Sequence, residues 1–357
     1  MHPMKTRSAR GPTQARSGYR RRGGILALLL AVLACLAGFA VAELKPSPSG
    51  PATPRPLETS PTGAATPGAA TAAPSQERLS AVSWPADGVS AADISGFGVV
   101  AGPGATRPVP IASVAKVMTA YVVLHDHPLP AGGSGPDIAV QSSEAAAYPS
   151  QAREGDSLVP VVAGEMLTER QALEALLLPS ADNMAWILAR WDAGSQAAFV
   201  ARMNATARGL GMTGTSYTDP SGLDASTVST AADQVRLGVA AMGVPALAAI
   251  AAMPTAVVPE AGLVRNYDTL LGQDGIVGLK TGSTQAAGGC VLVAAWSQAS
   301  GRKTLIVAAV FGQPGTAQTI LPNALQAGHN LVLALDSALD LGTRPSPAHR
   351  MTRRPPT

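Results

Sequence analysis

Lysine is scarce in this 357-residue chain: among 26 basic residues only Lys5, Lys45, Lys116, Lys280 and Lys303 are lysines. Lys5 and Lys45 flank an apolar run near the N-terminus and Lys303 lies in a polar turn, whereas Lys116 and Lys280 sit within apolar stretches. Burying an ammonium is costly unless it loses its proton or finds partners. Lysine, unlike arginine, can give up that proton for catalysis. Ser113 stands three residues before Lys116, a separation that puts both side chains on one face of a helix. A serine hydroxyl is a weak nucleophile, and a neutral amine beside it can accept its proton during attack on a carbonyl. A serine in the first turn of a helix also directs free N–H groups toward developing negative charge. Ser-x-x-Lys alone is a weak signal, because a capping serine and a snorkelling lysine produce the same spacing.

Two further clusters complete a set. Ser180-Ala181-Asp182-Asn183 falls in a connection between two helical patterns, and Lys280-Thr281-Gly282-Ser283-Thr284 ends a predicted strand. In this order the three resemble the motifs of penicillin-recognising enzymes, Ser-x-x-Lys, Ser-Asp-Asn and Lys-Thr-Gly. With Pro110-Ile111-Ala112-Ser113 and Asp219-Pro220-Ser221-Gly222-Leu223-Asp224, residues 84–341 resemble the low-molecular-weight D-alanyl-D-alanine carboxypeptidases, the S11 family of serine peptidases. The resemblance implies that Ser113 attacks the carbonyl between two terminal D-alanines of a peptidoglycan stem peptide and that Lys116 takes the proton. It implies that Ser180 passes a proton to the departing amine, and that Lys280 and Thr281 hold the substrate carboxylate. Backbone N–H groups of Ser113 and Ser283 would form an oxyanion hole, β-lactams would act as acylating inhibitors, and no cofactor or metal is needed. Arg265, fifteen residues before Lys280, matches a family position near the substrate carboxylate; a surface arginine is the competing reading. Gly282 is expected to be a glycine so that substrate can lie against the strand edge.

The middle motif departs from the family's usual Ser-x-Asn, because Asp182 occupies its third position and Asn183 follows. An amide both donates and accepts, while an ionised carboxylate only accepts. Asp182 would also favour the charged form of Lys116 or Lys280 and so slow acylation; a one-residue shift of the loop that brings Asn183 into the site is the alternative. Two rival functions share the motifs. A β-lactamase needs a base for its deacylating water, and no glutamate is placed for that work by sequence. A weakly active or inactive homologue would instead bind wall peptide, and Asp182 is the reason to consider it.

Charge distribution argues against nucleic acid as a partner. Seven of the basic residues lie in 1–22 and four in 343–357, neither segment holding an acid, which leaves fifteen basic against 23 acidic residues in the body. A phosphate backbone is repelled by that balance. Two cysteines, Cys35 and Cys290, are too few for a disulfide scaffold or a thiolate zinc site. His125-Asp126-His127 lacks further ligands nearby and reads as an exposed helix end before Pro128.

The apolar residues 24–42 follow a basic cluster, which predicts an uncleaved membrane anchor with the remainder outside a bacterial cell. Cleavage after Ala40-Val41-Ala42, giving a secreted protein, and a loose lipobox ending at Cys35 are alternatives. The expected organisation is a basic cytoplasmic segment (1–23), an anchor or signal (24–43), a Pro/Ala/Thr-rich linker (44–80), a catalytic domain (81–342) and a basic tail (343–357). Within the domain, strands are predicted at 89–94, 97–101, 276–279, 289–296 and 305–311. Helices are predicted at 113–124, 169–178, 183–191, 196–209, 230–241 and 318–339. Strands at both ends of a helical middle point to an α+β fold with one antiparallel sheet. The resemblance specifies the penicillin-binding, β-lactamase-like transpeptidase architecture, with helices on both sheet faces and a helical subdomain.

Overall fold

The computed structural model describes residues 78–340 apart from 80, 131 and 300. The expected cytoplasmic segment, anchor, tail and nearly all of the linker lie outside the described residues. The strands in chain order are β1 (Val89–Ile94), β2 (Gly98–Ala101), β3 (Val109–Pro110), β4 (Asp137–Ala139), β5 (Met166–Thr168) and β6 (Val228–Ser229). They continue with β7 (Thr255–Val258), β8 (Gly262–Arg265), β9 (Ile276–Thr284), β10 (Gly288–Ser297) and β11 (Thr304–Gln313). A short 3-10 helix at Ala112–Ala115 runs into α1 (Lys116–Asp126), followed by α2 (Ser142–Glu154), α3 (Glu169–Leu177) and α4 (Asp182–Ala193). The last four helices are α5 (Gln196–Gly209), α6 (Ala231–Met242), α7 (Pro245–Ala251) and α8 (Ile320–Asp340).

Five strands form one antiparallel sheet in the order β2-β1-β11-β10-β9, so chain-distant segments become neighbours and β9 is left at an edge. Strands β10 and β11 are buried along nearly their whole length, which explains their continuous apolar sequence. One face is covered by α8, whose buried Ala324, Leu325, Gly328, Leu331, Val332 and Leu335 recur at helical spacing. Against it pack Val291, Val293, Ile306 and Val310. The opposite face carries Ala91, Leu292, Ala294, Val307 and Ala309 into a larger core shared with α1 and α6. A Cβ on Gly238 would stand 2.6 Å from Val307 Cγ1, so glycine lets α6 approach the sheet closely.

Helix α1 is buried nearly all round, from Lys116 to Leu124. Its neighbours α3, α4, α5, α6 and α7 surround it, and this enclosure makes a helix with no polar face stable. Helix α3 begins with a capping box between Thr168 and Gln171, and Ser195 and Thr230 cap α5 and α6 through Ala198 N and Asp233 N. The expected single helix from Ser113 divides instead into the 3-10 turn and α1. Helices α2 and α7 and the three small two-stranded sheets were not expected. Among the described residues no single helix is long and apolar enough to cross a membrane.

Candidate active site

Three elements meet at the reactive residues. The 3-10 turn carries Ser113, the connection from α3 to α4 carries Ser180, and the edge strand β9 carries Lys280 and Thr281. Ala112 has φ 47°, a left-handed conformation unusual for alanine. That turn holds Ser113 partly exposed at the mouth of a helix whose next residues are fully buried. The packing that enforces it is visible in two glycines. A Cβ on Gly282 would lie 2.8 Å from Ser113 N and 3.1 Å from Val114 N, and one on Gly222 would collide with Ala112 O. Gly282 is thus required by close approach of β9 to the backbone of Ser113, a reason additional to the substrate clearance expected of it.

Lys116 Nζ is fully buried and makes three contacts: Ser113 Oγ at 2.8 Å, Asp182 Oδ1 at 2.6 Å and the Ser221 carbonyl at 3.0 Å. Asp182 is itself held, its Oδ2 accepting from Ser157 N at 3.1 Å while its own N–H donates to Ser157 O at 2.6 Å. Asn183 has a different task from the one expected. Its amide donates to Val159 O at 2.8 Å and accepts from Val159 N at 3.2 Å, so both ends pin the 157–159 loop and neither faces the lysine. Asp182, at the third position of the motif, is the side chain that reaches Lys116.

Ser180 has φ 62°, and its buried Oγ has no hydrogen-bond partner among the described residues. A hydroxyl left unsatisfied costs about 1–3 kcal/mol, and strain of this kind concentrates at functional sites. Lys280 is buried, with its ammonium donating to Thr281 O at 2.9 Å. Burial pushes its pKa down to about 7; repulsion by Lys116 acts in the same direction, against attraction from Asp182 and Asp268. Thr281 is buried beside it, and Ser283 is exposed at the strand's outer end. Arg265 ends β8 with its side chain exposed, opposite Thr255. It joins none of the hydrogen bonds found around Ser113, Lys116 and Lys280.

Some participants had no signal in the motifs. Asp219 accepts hydrogen bonds from the backbone of Ser221, Gly222 and Leu223, an Asx-type turn that presents the Ser221 carbonyl to Lys116. Thr119 locks the same loop by donating to Pro220 O at 2.6 Å. The Asp219-Pro220-Ser221-Gly222 string carried part of the family resemblance, but nothing in it announced the contact with Lys116. Buried Asp268, with Oδ2 unpartnered among the described residues, influences Lys280 from a loop with no recognisable motif. Cys290 pairs with Gly282 across the sheet and is a core residue whose thiol burial pushes up to about 12. His127 is less free than an exposed turn, since it stacks on Trp191 at 4.1 Å and meets Asp192 at 3.1 Å.

The arrangement offers a partly exposed hydroxyl in contact with a buried lysine and a second lysine at a strand edge, side chains of the types that acyl transfer uses. Comparison with known proteins agrees. The chain is 37% identical over 235 residues to the D-alanyl-D-alanine carboxypeptidase DacB2 of Mycobacterium tuberculosis, covering 64% of this chain and 75% of that protein. It is 36% identical over 192 residues to a D-alanyl-D-alanine endopeptidase of Pseudomonas aeruginosa, covering 52% of this chain and 59% of that one. The crystal structure of the Streptomyces K15 DD-transpeptidase has the same fold, with TM-score 0.61 and 24% identity over 71% of this chain and 98% of that one. Residues 86–314 match the sequence model of the D-alanyl-D-alanine carboxypeptidases, and the chain belongs to that family of serine peptidases, S11.

Proposed function

We propose that this serine carboxypeptidase removes the terminal D-alanine from peptidoglycan stem peptides through an acyl-enzyme on Ser113. The observation that carries the reading is the contact of Ser113 Oγ with the buried Lys116 Nζ at 2.8 Å, beside Asp182 and the Ser221 carbonyl. A neutral amine has two N–H groups for Asp182 and Ser221 and one lone pair for the Ser113 proton. Once it takes that proton, all three donors of the ammonium have acceptors, and Asp182 balances the charge. Lys116 is then the base in acylation. Ser180, with its hydroxyl unpartnered, relays a proton to the leaving D-alanine amine. Lys280 and Thr281 hold the terminal carboxylate, and backbone N–H groups of Ser113 and Ser283 receive the oxyanion. Water then releases the shortened peptide. β-Lactams enter the same steps and acylate Ser113.

The basic and apolar N-terminal segments support a single-pass anchor that leaves the catalytic domain on the extracytoplasmic side, with the Pro/Ala/Thr-rich stretch as spacer. Retention of the full chain in membranes after alkaline extraction is expected; release of a shortened chain would favour cleavage. For the chemistry, a fluorescent penicillin should label the wild type and not Ser113→Ala, and D-alanine should be released from a pentapeptide by the wild type alone. A folded wild type that neither labels nor releases D-alanine would make the domain a wall-peptide binding module.

A further inference from the structure

A cavity of about 330 Å³ lies between α2 and α4, outside the residues that surround Ser113. Its two charged side chains cancel: Arg190 Nε donates to Glu144 Oε1 at 2.6 Å and its Nη2 to Glu144 Oε2 at 3.2 Å. The rest of the lining is uncharged, with amides and hydroxyls from Gln151, Ser143, Ser195 and Gln196 around the half-buried ring of Trp186. Gln151 Oε1 has no hydrogen-bond partner among the described residues, an acceptor that gains one if the side chain turns toward a donor in the cavity. A neutral pocket at the small end of the ligand-site range, with an aromatic face and several neutral donors and acceptors, fits one uncharged polar ring better than an ion or an apolar molecule.

The cavity is joined to the reactive residues by short covalent and hydrogen-bonded paths. Asn183 lines it and follows Asp182, the partner of Lys116. Helix α2, which roofs it and has no fully buried residue, continues into the 157–159 loop held by Asp182 and Asn183. We propose that this cavity binds an N-acetylated hexosamine of the glycan strand that bears the stem peptide, so that the polymer is held at a second point. The proposal rests on the stem peptide being the substrate. The four stem residues between the sugar and the carbonyl attacked by Ser113 extend to about 14 Å at most, which sets the reach within which the two sites must lie. The sugar's hydroxyls and acetamide would meet the amides and serines, and its apolar face the Trp186 ring.

The test titrates the peptide-free disaccharide of N-acetylglucosamine and N-acetylmuramic acid into the full-length protein, following the acetyl methyl resonances by NMR. Trp186→Ala removes the aromatic platform; Ala147→Trp fills the cavity from α2 without removing a contact. Broadening with the wild type that is lost in both variants, whose melting temperatures stay near that of the wild type, is the expected result. No broadening with the wild type, or broadening undiminished in Ala147→Trp, overturns the proposal. In parallel, D-alanine release should be roughly tenfold more efficient from the disaccharide-linked pentapeptide than from the free one, with the advantage abolished in Ala147→Trp. Equal efficiency in the wild type counts against the site. Absent D-alanine release with sugar binding intact would instead indict the catalytic reading.

Discussion

At the scale of single residues, Asp182 is the departure that bears most on acylation. It sets an acceptor-only carboxylate 2.6 Å from Lys116 Nζ, where the family's usual motif has an amide that both donates and accepts. Asp182→Asn should therefore raise the rate of penicillin acylation at neutral pH, by several-fold to about tenfold. Stopped-flow acylation across a pH series would measure it, and an unchanged or lower rate would remove the idea. Lys280 touches no carboxylate among the described residues, and burial lowers its pKa to about 7. The carboxylate-holding role proposed for it requires the charged form. The efficiency kcat/KM for a pentapeptide should fall as pH rises through about 7 on this account, and Lys280→Arg should flatten that limb while lowering the maximum.

Among elements, the decisive relation is between the 3-10 turn and the edge of β9. Gly282 brings these two backbones together, and a methyl there would face backbone nitrogen on the turn, which has nowhere to retreat from the buried start of α1. Gly282→Ala should leave a folded domain with Tm lowered by a few degrees and reduce penicillin acylation about a hundredfold or more, because displacement by an ångström of the reacting groups has that scale of effect. Circular dichroism melting alongside gel-based labelling separates the two outcomes. Normal labelling with normal stability would mean the turn yields freely. The connection from α3 to α4 works in the same spirit, for Asn183 ties it to Val159 and leaves Asp182 free to meet Lys116.

For the whole molecule, two buried ionisable groups make stability depend on pH in opposite senses. Glu169, at the start of α3 beneath Gly135, is pushed up to about 7 by burial. The folded state then binds more protons than the unfolded between 4.5 and about 7, so its contribution is fullest below 4.5 and is lost as pH rises through that window. Lys280, lowered from 10.5 to about 7, costs stability while charged in the fold; that cost is present below about 7 and relieved as pH climbs toward 10.5. Together they predict a minimum near neutrality in their combined contribution. Urea unfolding at pH 5, 7 and 9.5 should show Glu169→Gln stabilising most at and above pH 7, and Lys280→Met stabilising most at and below pH 7, each by about 1–3 kcal/mol. Equal effects at all three pH values would refute the assignment.

Much of the fold was legible because its signals are local. Apolar continuity marked β10 and β11, Ser195 and Thr230 marked helix starts, and Pro179 marked the break before Ser180. Helix α2 escaped because it buries no residue completely and contains Pro149, so it has no apolar stripe to recognise. Spacing on one helical face was enough to pair Ser113 with Lys116, and composition alone to place a lysine in an apolar strand. Which carboxylate or amide meets Lys116, why Gly282 must be glycine, and that Asp219 and Asp268 stand behind the two lysines depend on segments that in two of these cases lie more than a hundred residues apart in sequence. Pairwise chemistry within a turn or two of helix is encoded by period, whereas contacts among a strand edge, a strained turn and two loops exist only after the sheet and α1 have been packed together.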